Sequence, residues 1–104
     1  MTEKQFESIT KWQRETFPNA NALSRVNHLA EEVLELHEAL HKHHSASDTE
    51  MELADCFILL FGAANAYGMS YDDILNAIDK KMDINKARKW GKPDENGVVK
   101  HVKD

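Results

Sequence analysis

Residues that break regular structure are scarce in this chain, and this scarcity constrains the fold more than any other feature. Only two prolines, Pro18 and Pro93, and four glycines occur among 104 residues. Both prolines lie near the ends of segments in which apolar residues recur at helical spacing. The segments themselves are rich in Leu, Ala, Glu and Lys, which favour helix. The sequence therefore predicts an all-α protein, a four-helix bundle forming a single domain over residues 1–104.

Capping residues divide the chain into four helices and a tail. Thr2 to Gln5 and Ser47 to Glu50 both have the sequence of a capping box, and Gly68 is suited to end a helix. Turn residues at Pro93-Asp94 and Asn96-Gly97 predict that the tail could form a hairpin. The predicted helices cover residues 2–16, 21–43, 47–68 and 70–91.

Composition excludes several classes of protein. The formal charge of −5 argues against a surface that binds nucleic acid polymers. The single cysteine, Cys56, excludes an internal disulfide and cysteine-based zinc modules. The longest apolar run, Cys56 to Ala64, is far shorter than the roughly 20 residues that span a bilayer. The N-terminal segment is polar and acidic, unlike a secretory signal. These features predict a cytoplasmic protein with no membrane partner.

Two pairs of acidic residues have the spacing of one helical turn. Glu32 and Glu35 form an ExxE pair on the second helix, and Glu52 and Asp55 form an ExxD pair on the third. Residues at i and i+3 share a helix face. Two consecutive helices joined by a short loop could bring the pairs together. Four carboxylates would then form the oxygen-rich site that Mg²⁺, or alternatively Mn²⁺, prefers.

A solvated acidic surface is the alternative explanation of these residues. It accounts well for the second helix, where Glu31, Glu32, Glu35 and Glu38 lie opposite most apolar residues. It accounts less well for Asp55, because no charged residue occurs from Cys56 to Tyr71. A helix that is apolar nearly all round is usually buried on every side, where an unpaired carboxylate is costly. We therefore expect Asp55 to be paired or metal-bound.

A basic stripe on the fourth helix complements the acidic pairs. Ile74, Ile78, Lys81, Asn85 and Arg88 share one face, which is aliphatic at first and then basic. Inward-pointing cations could form buried ion pairs, or they could hold phosphate groups that a carboxylate-bound metal also contacts. Carboxylates, a metal and cations together are what phosphoryl or nucleotidyl transfer requires.

The histidines suggest weaker alternatives. His37 and His41 have the i, i+4 spacing of a zinc site, and Glu38 to His41 forms one ExxH motif, whereas di-iron bundles need two. A polar helix end, where His suits the helix dipole, explains the pair equally. His28 lies one turn before Glu32 and could support a metal ligand or be purely structural.

The acidic and basic motifs in their context resemble a known family. HLAEEVLEL, followed by ELADCFILL and then KMDINKARKWGKPDENGVVKHV, is similar to the MazG-like all-α nucleoside triphosphate pyrophosphohydrolases, in particular the dATP/dGTP diphosphohydrolase branch. The resemblance extends from Trp12 to Val102. One departure is Lys100, where the tail of that branch often has Glu.

The resemblance implies a MazG-like helical bundle, usually completed by dimers or higher oligomers, and a reaction. The reaction is hydrolysis of a (deoxy)nucleoside triphosphate between the α- and β-phosphates, giving monophosphate and pyrophosphate. By position, Glu32, Glu35, Glu52 and Asp55 would be the metal ligands and catalytic residues. The same correspondence makes Lys81, Asn85 and Arg88 phosphate-binding residues and Trp12 a residue that contacts the base.

Two functions therefore remain as hypotheses. The first is a Mg²⁺-dependent pyrophosphohydrolase acting on a purine deoxynucleotide such as dGTP or dATP, in which one of the four acids, or Glu31, activates water. The second is a non-catalytic helical interaction protein. In both cases the apolar third helix predicts a homodimer or homotetramer, because four short helices cannot cover it on every side.

Overall fold

The computed structural model describes residues 1–103 of the chain. It contains four helices, α1 (Glu3–Thr16), α2 (Ala22–His41), α3 (Ala46–Tyr67) and α4 (Tyr71–Ala87). Within residues 1–103 the only β-pairing is one isolated bridge. The all-α prediction is confirmed. Among these residues, no single helix combines the length and apolar character needed to cross a membrane.

Side-chain caps begin the first three helices. Thr2 accepts a hydrogen bond from the Gln5 amide, and Asn21 forms a reciprocal capping box with Ser24. The predicted capping residue of the third helix, Ser47, is wrong by two residues. The cap is Ser45, whose hydroxyl accepts from the Asp48 amide at 3.2 Å. The chain reverses at His43, with φ of 54°, so Ser45 is already positioned to cap.

The first of two compact units runs from Met1 to Tyr71 and contains α1, α2 and α3. Its buried core is small, and Phe6, Ala39 and Ala63 belong to it. The Phe6 ring packs edge-on against Phe61 at a centroid distance of 6.1 Å. Gly68 ends α3 with φ of 112°, as predicted.

A single chain does not bury the third helix on every side, as expected for a chain of four short helices. Phe57 is 58% exposed and Leu60 52% exposed. Within the first unit α3 packs against α2 and α1, and these two helices cover only part of its surface. Several large apolar side chains on the rest of that surface are exposed.

The second unit begins at Asp72 and takes in the rest of the described chain. Helix α4 ends at Ala87, earlier than predicted, because the following residues turn back to form a hairpin. Trp90 and His101 form an antiparallel bridge, and the Val102 amide donates to the Lys89 carbonyl at 2.7 Å. The hairpin prediction for the tail is confirmed. That residues 1–104 form one domain stays a prediction.

Candidate functional site

Three acidic side chains from two helices converge in the first unit. Glu32 on α2 and both Glu52 and Asp55 on α3 each offer a carboxylate oxygen, and these atoms lie within 4.8 Å of one another. Helices α2 and α3, joined by the short loop 42–45, pack along each other. The i, i+3 spacing of Glu52 and Asp55 turns both side chains toward Glu32.

Glu35 lies at the edge of this group. It is exposed and is not one of the three converging acids, but it lies close enough to accept a hydrogen bond from Glu32 when Glu32 is protonated. The structure thus brings three of the four predicted carboxylates together and leaves the fourth beside them.

The acidic cluster brings negative charges together, and these charges act on Glu32. Partial burial, the hydrogen bond that protonated Glu32 donates to Glu35, and the charges of Glu35, Asp55 and Glu52 all raise the pKa of Glu32 above its ordinary value. One oxygen of Glu52, Oε2, is buried without a hydrogen-bond partner. Converging carboxylates of this kind repel one another unless a proton or a cation joins them. Oxygen atoms of carboxylates are the ligands that hard divalent cations prefer.

Asp55 differs from expectation in its exposure. The sequence predicts a buried carboxylate, whereas Asp55 is exposed and Glu52 is half-buried. The reason is that Asp55 lies on the wall of a cavity rather than in the packed core. The neighbouring Cys56 is half-buried, and burial together with the nearby carboxylates raises the pKa of its thiol.

A cavity of about 400 Å³ begins at the acidic cluster. Glu32 and Asp55 lie on its wall, and so do Trp12 and Phe17 from the N-terminal part of the chain. The Trp12 ring meets Phe17 edge to face, with a centroid distance of 5.6 Å. The cavity therefore joins a carboxylate site to an aromatic surface, a combination suited to a ligand with a charged end and a planar apolar end.

Three polar residues of the cavity belong to the candidate site in addition to the predicted ones. His28 places Nε2 3.4 Å from Glu32 Oε1, so of its two sequence interpretations the supporting role fits the geometry. Gln13 and Arg25 also line the cavity. The sequence motifs did not identify either of them as a site residue. Arg25 could have been found from its i, i+7 spacing to Glu32. No sequence pattern predicts a place in the site for Gln13, because its position depends on contacts with α3.

The predicted phosphate-binding residues belong to the second unit. Lys81 is exposed on α4, Asn85 is half-buried near its end, and Arg88 is half-buried just beyond it. The Asn85 carbonyl accepts a hydrogen bond from Trp90 Nε1 at 2.9 Å. Arg88 lines a cavity of about 540 Å³ whose wall also includes Lys89 and Lys103. This part of the second unit is strongly cationic.

Comparisons with known proteins identify the family of the chain and a similar solved structure. The dATP/dGTP pyrophosphohydrolase family model matches residues 5–104. The solved structure of the cyanophage S-2L MazG-like pyrophosphohydrolase, bound to dGDP and three catalytic Mn²⁺ ions per active site, is similar with a TM-score of 0.76 and 29% sequence identity. The match covers 99% of each chain. No curated protein has a significantly similar sequence.

Proposed function

Because the chain belongs to the dATP/dGTP pyrophosphohydrolase family, we propose that it hydrolyses a purine deoxynucleoside triphosphate, such as dGTP or dATP, to the monophosphate and pyrophosphate. Its general activity is that of a nucleoside triphosphate pyrophosphohydrolase. The observation that carries the specific proposal is the meeting of Glu32, Glu52 and Asp55 at one end of a cavity with aromatic side chains at the other.

The acidic cluster fits a divalent cation, which we propose to be Mg²⁺, with Mn²⁺ as the alternative. The unpartnered Glu52 Oε2 and the raised pKa of Glu32 both indicate carboxylates that lack a positive partner. Glu32, Glu52 and Asp55 would hold the metal, with Glu35 as a fourth ligand. A bound metal of this kind polarises phosphoryl oxygens and lowers the pKa of coordinated water.

In the proposed reaction the other predicted residues activate water, bind the phosphates and contact the base. One of the four acids, or Glu31, accepts the proton of the attacking water. Lys81 and Arg88 offset negative charge on the phosphates, and Asn85 donates a hydrogen bond to them. Trp12 stacks against the base, supported by Phe17. His28, whose Nε2 lies 3.4 Å from Glu32 Oε1, holds the Glu32 side chain in place.

A nucleotide panel tests this function. Each NTP and dNTP is incubated with protein and Mg²⁺, and the products are separated by ion exchange. We expect monophosphate and pyrophosphate from a purine dNTP. Asp55→Asn should lower kcat/KM roughly 10²-fold or more, since an electrostatic contribution to the transition state is lost. Asp79→Asn, the same change at an exposed position of α4, should leave it unaltered.

Two results would contradict the proposal. Nucleoside diphosphate as the first product would show that the β–γ bond is the one cleaved. If the wild type hydrolyses no nucleotide, the alternative hypothesis of a non-catalytic interaction protein explains the chain better. Assembly into a homodimer or homotetramer stays a prediction, and so does the cytoplasmic location.

A further inference from the structure

One buried side chain ties the helix that begins the aromatic end of the cavity to the helix that carries Asp55. Gln13 lies on α1 and is only 2% exposed. Its Nε2 donates to the Ile58 carbonyl of α3 at 3.0 Å. Because the acceptor is a backbone atom within a helix, it cannot move by a change of rotamer. This hydrogen bond therefore fixes the position of α1 along α3.

The Gln13 amide is seated against α3 and not against the space of the cavity. A Cβ at Gly62 would lie 2.5–2.8 Å from the Gln13 amide atoms, so the amide occupies the place that a larger residue would take. The other amide atom, Oε1, is buried and has no hydrogen-bond partner among the described residues. A ligand in the cavity cannot reach these atoms. Any effect of Gln13 on a ligand therefore passes through its neighbours.

The neighbours of Gln13 are the two aromatic residues of the cavity. Trp12 precedes it in the chain, and the Phe17 amide donates to the Gln13 carbonyl at 2.8 Å where α1 ends. On α3 the partner of Gln13, Ile58, follows Asp55 by one turn, about 4.5 Å along the axis. The Gln13 hydrogen bond thus sets the place of the aromatic side chains relative to the acidic end.

We propose that Gln13 is a positioning residue, which holds Trp12 and Phe17 at the distance from Asp55 that lets one nucleotide contact both ends of the cavity. This inference rests on the proposed function. A shift of α1 by one residue along its axis moves Trp12 by about 1.5 Å. A gap of about 0.5–1 Å already forfeits a quarter to a half of a van der Waals contact. Gln13 itself touches neither base nor phosphate.

Two binding probes separate this role from a general structural one. The first is dGMP with Mg²⁺, which has a base, and the second is inorganic tripolyphosphate with Mg²⁺, which has none. Gln13→Met keeps an unbranched side chain but removes the amide. It should weaken dGMP binding roughly tenfold, as expected for the loss of base stacking, and leave tripolyphosphate binding unchanged. In hydrolysis, KM for dGTP should rise by a similar factor with kcat unchanged.

Gly62→Ala gives an independent test, because Gly62 lies outside the residues that line the cavity. The added Cβ should displace the Gln13 amide and weaken dGMP binding as Gln13→Met does. Two controls should leave dGMP binding unaltered. Arg14→Met removes a second hydrogen bond between α1 and α3, the exposed one to Asn65 Oδ1 at 2.9 Å. Phe6→Leu weakens the apolar contact of the same helices away from the cavity.

A double-mutant cycle shows whether Gln13 acts through the aromatic end. Trp12→Ala should weaken dGMP binding, and Gln13→Met added to it should cost no more than about twofold. The proposal is overturned by equal effects of Gln13→Met in both backgrounds or by an equal loss of tripolyphosphate binding. It is also overturned if the wild type binds neither dGMP nor dAMP. If dGMP binds as described but no nucleotide is hydrolysed, the proposed function alone fails.

Discussion

At the scale of single residues, the surroundings of Glu32 disfavour its ionised form. Its side chain is only 17% exposed, and burial is the largest cause of its raised pKa. The folded protein therefore binds a proton at Glu32 more tightly than the unfolded chain does. The resulting stabilisation is complete below the ordinary pKa of 4.5 and is lost as the pH rises through the raised folded value.

Glu32→Gln should consequently stabilise the metal-free protein at neutral pH and abolish most of its stabilisation by Mg²⁺. Removing the repulsion between the carboxylates should raise Tm by a few degrees, on the scale at which about 1 kcal/mol corresponds to roughly 4–8 °C for a domain of this size. Thermal melts with EDTA and with excess Mg²⁺ measure both effects. Glu50→Gln, an exposed acid on α3, is the control and should change neither. A variant that still gains stability from Mg²⁺ like the wild type would show that the metal binds elsewhere.

At the scale of helices, the contact between α1 and α3 depends on a matched pair of residues, Gln13 and Gly62. Glycine within a helix costs roughly 0.5–1 kcal/mol relative to alanine. Here that cost is offset, because only glycine leaves space for the buried Gln13 amide and its hydrogen bond to Ile58. The two residues should therefore be energetically coupled.

A double-mutant cycle tests this coupling. Gly62→Ala in the wild type should destabilise the protein by about 1 kcal/mol, since overpacking outweighs the gain in helix propensity. In a Gln13→Ala background the same change should be stabilising by up to about 1 kcal/mol, because the obstructing amide is gone. Urea denaturation gives the four free energies of unfolding. Equal effects of Gly62→Ala in the two backgrounds would mean that the residues do not interact.

At the scale of the whole molecule, α3 presents an apolar stripe that the first unit leaves uncovered. Leu53, Phe57, Leu60 and Tyr67 recur at helical spacing and are between 39% and 81% exposed. Contiguous apolar surface of this kind usually marks an interface. A second copy of the chain, packed about a two-fold axis, would cover it with the same stripe.

Phe57→Glu should therefore convert an oligomer into a monomer. We expect sedimentation at micromolar concentration to give a dimer or tetramer for the wild type and a monomer for the variant, because a buried glutamate without a partner is strongly unfavourable. Val98→Glu, at a position of similar exposure in the tail, should keep the oligomer. A monomeric wild type would refute the predicted oligomer and leave the exposed stripe without an explanation.

The sequence predicted features that depend on neighbours along the chain. The helical class, the cap at Thr2, the end of α3 at Gly68 and the hairpin of the tail all follow from local preferences. Local preference also explains why Ser47 was predicted as the cap of α3 in place of Ser45, since both serines have the same capping chemistry. The turn of the chain at His43 places Ser45, and not Ser47, at the start of the helix. The paired acids followed from spacing, since i, i+3 residues share a face in any helix.

Only the tertiary structure decided which side chains meet and which are covered. Glu35 and Glu32 are equivalent by spacing, yet the packing of α2 on α3 brings Glu32 alone into the group with Glu52 and Asp55. Gln13 and Arg25 became candidate site residues because helices far apart in sequence enclose one cavity. Helical periodicity fixes the direction of a side chain about its own axis, whereas burial and ligand geometry depend on how separate helices pack, which no local pattern specifies.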